Sequence, residues 1–326
     1  MGTKSGERES RGVEVEAVAE DRARIPSWFG EAVLLAKYWW DSGLVGYLEE
    51  EVRVVRGRMG QYEVQDFVLL LNSYAISGEK SLSDFFKALA PVKEVLMSLW
   101  ERKTCPSAAS LSRFLAAVAA SGVESLRVLF ESDLGRNSVR VESGIGMFDR
   151  NQAQSVVFDI DGTVCAVRQR SIRGEAQNDP PGVRRSQSAC APGYKGRKRG
   201  EVIRNRTTVS QAQTSEWLGT YGSAGNGATQ RELERSCQGI VRYLQQQGLQ
   251  AGDGLVRLDG LYGNAALVSV LQSSGLGYIV RCRDYHLLQK DSIQKRLESS
   301  AAEDWQALSP NNPSQWLDLG YIEDLG

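Results

Sequence analysis

Two short acidic stretches of this chain carry residue types that can hold a hard metal ion. In Phe158-Asp159-Ile160-Asp161-Gly162-Thr163-Val164 an apolar run gives way to two carboxylates spaced two apart. On a regular strand that spacing puts both on one face, and a strand ending on carboxylates presents them at the crevice where α/β sheets take ligands. Paired carboxylate oxygens suit Mg2+, which draws one or two carboxylates from protein and keeps its other positions for water or phosphate oxygens. A second β-rich run, Leu255-Val256-Arg257-Leu258-Asp259, also finishes on an aspartate. The competing structural reading is that Asp161-Gly162 is an ordinary turn pair; the doubled Asp behind a wholly apolar run weighs against it.

The elements that must position these residues are legible from periodicity. From Ile25 to about Phe130 apolar residues recur at helical spacing, with Ser81 and Ser107 as helix starts and Pro91 as a stop. Around Asp133 to Arg150 the pattern breaks, and from Gln154 it turns β-like. Val202–Val209 and Glu216–Tyr221 read as strands, Thr229–Gln247 as a helix ended by Gly248, Leu255–Asp259 as a strand, Asn264–Leu271 as a helix and Tyr278–Arg281 as a strand. The fold class is therefore α/β, a mixed sheet with flanking helices preceded by an α-helical domain. The expected division is a disordered tail at 1–24, the helical domain at 25–150, the sheet domain at 151–288, and an unplaced polar segment at 289–326.

Composition narrows the function classes. A length of 326 residues with 41% hydrophobic and 24% charged residues fits two globular domains and excludes a wholly disordered chain. A single histidine, His286, excludes His-rich metal centres, and five dispersed cysteines without a C-x-x-C pair argue against a disulfide framework or structural zinc. The polar first 24 residues do not read as a signal peptide, and no apolar run is long enough to span a bilayer, so a cytoplasmic protein with no membrane partner is expected.

Net charge is only -1, yet charge placement is uneven. Between Val164 and Ser210 the basic residues include Arg168, Arg184, Arg185, Lys195, Arg197, Lys198, Arg199, Arg204 and Arg206, against Glu175, Asp179 and Glu201 alone as acids. The bland reading is a solvated loop. Adjacency to the carboxylates points instead to a phosphodiester substrate, whose phosphates cationic side chains neutralise with release of counterions.

Two families share the motif. The D-x-D-G-T-[LV] string over Asp159–Val164 resembles the haloacid dehalogenase-like phosphatases, which implies Asp159 as nucleophile and Asp161 as general acid/base with Mg2+; the acidic G-D-x-x-x-D motif of that family has no match here. More of the chain resembles the DDE transposases of bacterial insertion sequences, which have a ribonuclease-H-like core. Asp161-Gly162-Thr163 fits their D-x-T, and Arg257-Leu258-Asp259-Gly260-Leu261-Tyr262-Gly263 fits R-x-D-x-x-[YF]-G. The stretches from Ala191 to Glu201 and from Arg283 to Leu288, and the helical first third, are also similar to that family.

That resemblance implies metal-dependent DNA strand cleavage and transfer at insertion-sequence ends, with a two-metal Mg2+ site (Mn2+ as a substitute). Asp161 and Asp259 would be the shared metal ligands, and Asp159 an outer helper or itself the ligand. Arg197, Lys198, Arg199, Arg204 and Arg206 would meet DNA, as would Arg113 in the helix start Pro106–Phe114. The partners implied are double-stranded DNA at transposon ends and further copies of the chain in a homo-oligomer, in a bacterial, nucleoid-associated setting. The family's third carboxylate is not found: Glu298, Glu303, Asp304, Glu323 and Asp324 follow too closely on the last strand. The expectation is a truncated copy lacking it, with a catalytically dead DNA-binding remnant as a further alternative.

Overall fold

In the computed structural model the chain divides into two units, Met1–Ser138 and Val139–Gly326. The residues described are 16, 24–54, 60–118, 120–138, 147–148, 154–166, 190–194, 199–226, 229–282, 285–309 and 312–322. Among them, no helix is long and apolar enough to cross a membrane.

Polar punctuation cuts the apolar repeat of the first unit into helices α1 (Phe29–Asp41), α2 (Leu44–Glu51), α3 (Val64–Ser77), α4 (Leu82–Leu89), α5 (Lys93–Leu99), α6 (Ala108–Ala117) and α7 (Ala120–Asn137). Ser81 caps α4 by accepting from Asp84 N at 3.2 Å, and Ser107 caps α6 by accepting from Ser110 N at 3.2 Å. The buried stripes meet in a core around Trp28, Phe85, Trp100 and Leu111, with the Phe67 and Phe114 rings stacked 4.4 Å apart. Helix α7 runs on to Asn137, past Asp133 where the sequence pattern breaks. Its apolar signal is weak because, among its described side chains, Leu129 alone is buried. Local pairs such as Arg127–Glu124 at 3.2 Å and Asn137–Asp133 at 2.8 Å support it instead.

The second unit holds strands β1 (Met147–Phe148), β2 (Gln154–Ala166), β3 (Ala191–Tyr194), β4 (Arg199–Gln211) and β5 (Trp217–Ala224), then helix α8 (Thr229–Gln246), strand β6 (Gly254–Leu258), helix α9 (Ala265–Ser274) and strand β7 (Gly277–Val280). Their sheet runs β3-β4-β2-β6-β7, with β5 also on β4 and β1 on β2. The β2–β4 and β4–β5 pairs are antiparallel, whereas β2–β6 and β6–β7 are parallel. The unit is thus mixed α/β, as its sequence implies. Helix α8 buries Leu233, Cys237, Ile240 and Leu244, and Gly248 beyond its end adopts φ 78 in the left-handed region.

Two readings of the sequence change here. Strand β2 does not stop at its carboxylates but continues to Ala166, because β4 pairs with it from Ile203 to Gln211 and Thr163 and Val164 are β-branched. The polar segment after Gln289 is structured: helix α10 (Asp291–Glu298) precedes a hairpin of β8 (Trp305–Ser309) and β9 (Asn312–Leu317). Its helix was hidden because Ile293 is the one fully buried residue in it.

Candidate active site

The parallel ladder between β2 and β6 pairs Phe158 with Val256, Asp159 with Arg257 and Ile160 with Leu258, and stops there. The next residues are Asp161, inside β2, and Asp259, directly after β6, so the two aspartates stand at the same level just past the paired stretch of neighbouring parallel strands at the sheet's centre. Both are exposed. Asp161 Oδ2 accepts from Thr163 Oγ1 at 3.1 Å, and its main-chain oxygen accepts from Thr208 Oγ1 at 3.4 Å. Asp259 Oδ1 accepts from Leu261 N at 2.9 Å. Each carboxylate therefore spends one oxygen on holding its own orientation, and among the described residues no cation pairs with either. Two hard oxygen donors, oriented and uncompensated, fit a divalent ion.

Asp159 is differently placed. Arg257 donates to it through Nε at 2.7 Å and Nη2 at 2.7 Å, one bond to each oxygen, and the same hydrogen-bonded carboxylate raises the guanidinium pKa above its ordinary value. Both Asp159 oxygens are occupied by a cation, which leaves Asp161 and Asp259 as the open pair. The signal was in the register: Asp159 and Arg257 are 98 residues apart, the same separation as Asp161 and Asp259.

Strand alternation turns Gly162 to the opposite, helix-covered face. A methyl carbon there would lie 3.0 Å from Leu261 Cδ2 and 3.1 Å from the Tyr262 hydroxyl. Tyr262 is fully buried. Its hydroxyl faces Thr207, but Thr207 gives its proton to Glu232 at 2.5 Å, and the tyrosine oxygen reaches no partner at hydrogen-bond geometry. Glu232, buried on α8, also accepts from Asn205 Nδ2 at 2.5 Å and from Ser223 Oγ. A glutamate inside a buried helical stripe gives no sequence signal of its own, since its donors come from two other strands.

Burial pushes the Tyr262 phenol up to about 12; Thr207 opposes this, and Glu232, Asp259 and Asp161 add to it. An unfolded tyrosine loses its proton near 10. The stabilisation is thus complete below about pH 10 and is lost as pH rises toward 12, about 2–3 kcal/mol in all by linkage. Denaturant midpoints measured from pH 9 to 12 should fall over that window, and Tyr262→Phe should flatten the part above 10. It should leave the loss that begins near 9, which belongs to Cys105 and Cys237, whose thiols burial pushes up to about 11. An unchanged pH slope in Tyr262→Phe would contradict this.

On the open face, Thr163 pairs with Arg206 and Cys165 with Arg204 across β2–β4. Across β5 the arginines face Gly222 and Ala224, whose small size leaves both guanidinium groups open. Arg204 and Arg206 are exposed and have no ion-pair partner among the described residues. Arg199 lies on β4 by its backbone, while Arg197, Lys198, Glu323 and Asp324 lie outside the described residues. Arg113 belongs to the first unit, on α6, where it donates to Ser110 Oγ at 3.4 Å. His286 is exposed and contacts Gln289 at 3.2 Å. Glu298, Glu303 and Asp304 are exposed, and Asp304 is used in capping Ala301 N at 2.9 Å. Among the described residues, no group of three or more His, Cys, Asp or Glu is placed to hold a metal. Compared with known proteins, the chain matches no family model and no curated protein.

Proposed function

We propose that the second unit is a ribonuclease-H-like core that binds DNA and breaks and joins its phosphodiesters, as an insertion-sequence transposase does, with a divalent ion held by Asp161 and Asp259. The observation that carries this reading is the placement of those two unpaired carboxylates at the same level, where the parallel ladder between β2 and β6 ends. The order of elements agrees apart from the short added strand β3: a strand bearing the first Asp, the antiparallel pair β4 and β5, a helix, then a parallel strand followed directly by the second Asp. The phosphatase alternative is not favoured, because Asp159, its nucleophile, has both oxygens committed to Arg257.

The chain's own residues divide the work. Thr163 and the Leu261 amide orient the two carboxylates, leaving one oxygen of each for the ion. Arg204 and Arg206 stand on the same face, two residues apart on β4, where they take backbone phosphates and fix the DNA relative to Asp161. Arg257 keeps Asp159 neutralised, which limits repulsion of an approaching phosphate. Mg2+ or Mn2+ bound there supplies Lewis-acid polarisation of the phosphodiester and a more acidic attacking water.

Supercoiled plasmid offers a test without knowledge of the cognate end. Nicking is expected with Mg2+ or Mn2+ and not with chelator. Duplex binding should weaken with salt, and Arg204→Gln with Arg206→Gln should reduce the slope of log affinity against log salt by about 2. Salt-dependent binding without nicking under either metal would leave a DNA-binding protein without catalysis; no binding and no nicking would reject the proposal.

A further inference from the structure

The hydrogen-bonded ladder between β2 and β6 ends at Ile160 and Leu258, one residue short of both carboxylates. Something else has to fix the gap between Asp161 and Asp259. We propose that the packing of the Tyr262 ring under Gly162 sets that gap, making Tyr262 a positioning residue for the metal pair; this rests on reading the pair as metal ligands.

The geometry is specific on both sides of the contact. Gly162 directly follows Asp161, and a methyl carbon on it would come within 3.1 Å of the Tyr262 hydroxyl, so the tyrosine would have to give way by a few tenths of an ångström to any side chain there. Tyr262 is tied to Asp259 by a tight turn. Tyr262 N donates to Asp259 O at 3.2 Å, Leu261 N donates to Asp259 Oδ1 at 2.9 Å, and Asn264 N donates to Tyr262 O at 2.9 Å before Asn264 caps α9. A shift of the ring is therefore carried to the Asp259 carboxylate. The ring itself has nowhere to go: it is fully buried, whereas the Leu261 side chain is half-exposed and its terminal methyl can swing aside. The hydroxyl meets no partner at full hydrogen-bond geometry, and Thr207, the side chain it faces, already donates to Glu232. Its removal should therefore cost little and should open the space that a methyl on Gly162 needs.

That asymmetry gives a test with a rescue, using Mn2+ alone as the probe on the full chain. Gly162→Ala should weaken Mn2+ binding about tenfold or more, in the range seen when groups supporting metal ligands are altered. Tyr262→Phe, which keeps the ring, is the reference for the double variant, which should recover to within about threefold of it. A merely structural contact would change melting temperature without this pattern in metal affinity. Parent-like Mn2+ binding by Gly162→Ala, or a double variant no better than Gly162→Ala, overturns the proposal. If the parent takes up no Mn2+, the metal reading fails on its own. The contact is then judged by the thermal unfolding of the same four proteins, where additive shifts at 162 and 262 would overturn it and a rescue by Tyr262→Phe would uphold the packing.

Discussion

Asp161→Asn and Asp259→Asn should each lower metal-dependent nicking by at least about 10^3-fold, while Asp159→Asn should change it by less than about tenfold. The amide keeps the size of the side chain and one acceptor oxygen, so the bonds from Thr163 to position 161 and from the Leu261 amide to position 259 survive. What is lost is the charge that binds a divalent ion, and the several kcal/mol of transition-state stabilisation such an ion gives corresponds to about three powers of ten. Both residues are exposed, so the fold should be untouched. Asp159 gives the contrast. Its pair with Arg257 is bidentate but half in water, with side chains 42% and 48% exposed, and such pairs contribute about 1 kcal/mol at most. Equal loss in all three variants would remove the distinction between the open pair and the neutralised one. A selective loss in Asp159→Asn would instead restore the phosphatase reading, and hydrolysis of a small phosphate ester would then be the activity to measure.

How far the sequence shows this arrangement differs from residue to residue. Strand alternation places Asp159 and Asp161 on one face, because period-two burial writes directly into residue type. The expected strand end at Asp161 does not occur: β2 runs on to Ala166 through its pairing with β4, which the run's own residues do not announce. Cross-strand partners are not written that way. Arg257 could be read only as part of a motif until the register set it opposite Asp159. Gly162 invites a turn reading that the doubled Asp weighs against; it sits within a strand, and the Tyr262 side chain packed beneath it is a contact that residue type does not announce. Helix α10 and the hairpin after it bury little, so no apolar period announces them. Helix α7 shows the same physics in the first unit, where Leu129 is the one buried side chain among those described. Sequence reasoning succeeds where burial is one-sided and regular, and fails where a contact is between residues far apart or where an element is held by polar pairs.

The largest stability effect is expected in the first unit, at a group that the apolar pattern does not reveal. Asp66 has a side chain only 4% exposed at the start of α3, and Arg102 reaches it through Nε to Oδ1 at 2.5 Å, with its Nη2 shared between Asp66 Oδ2 at 3.2 Å and Glu63 Oε2 at 3.0 Å. Asp66 also accepts from Glu63 N at 2.8 Å, which closes the first turn of the helix. Arg102→Ala leaves that carboxylate buried without its cation, a change that costs about 3–5 kcal/mol in comparable pairs. The lower figure applies here, because the remaining backbone donor and the helix N-terminus still favour the negative charge. Glu63→Gln, on a side chain 65% exposed, should cost less than about 1 kcal/mol. Denaturant unfolding of the full chain followed by tryptophan fluorescence can measure both, since Trp28, Trp39, Trp40 and Trp100 all lie in or against this core. Pairing Arg102→Ala with Asp66→Ala should recover part of the loss, because it removes the stranded charge along with its partner. If the double variant is instead as unstable as the sum of the two single ones, the charge pair is not what holds α3 to the Arg102 segment, and packing of the arginine stem against the core would have to carry the effect.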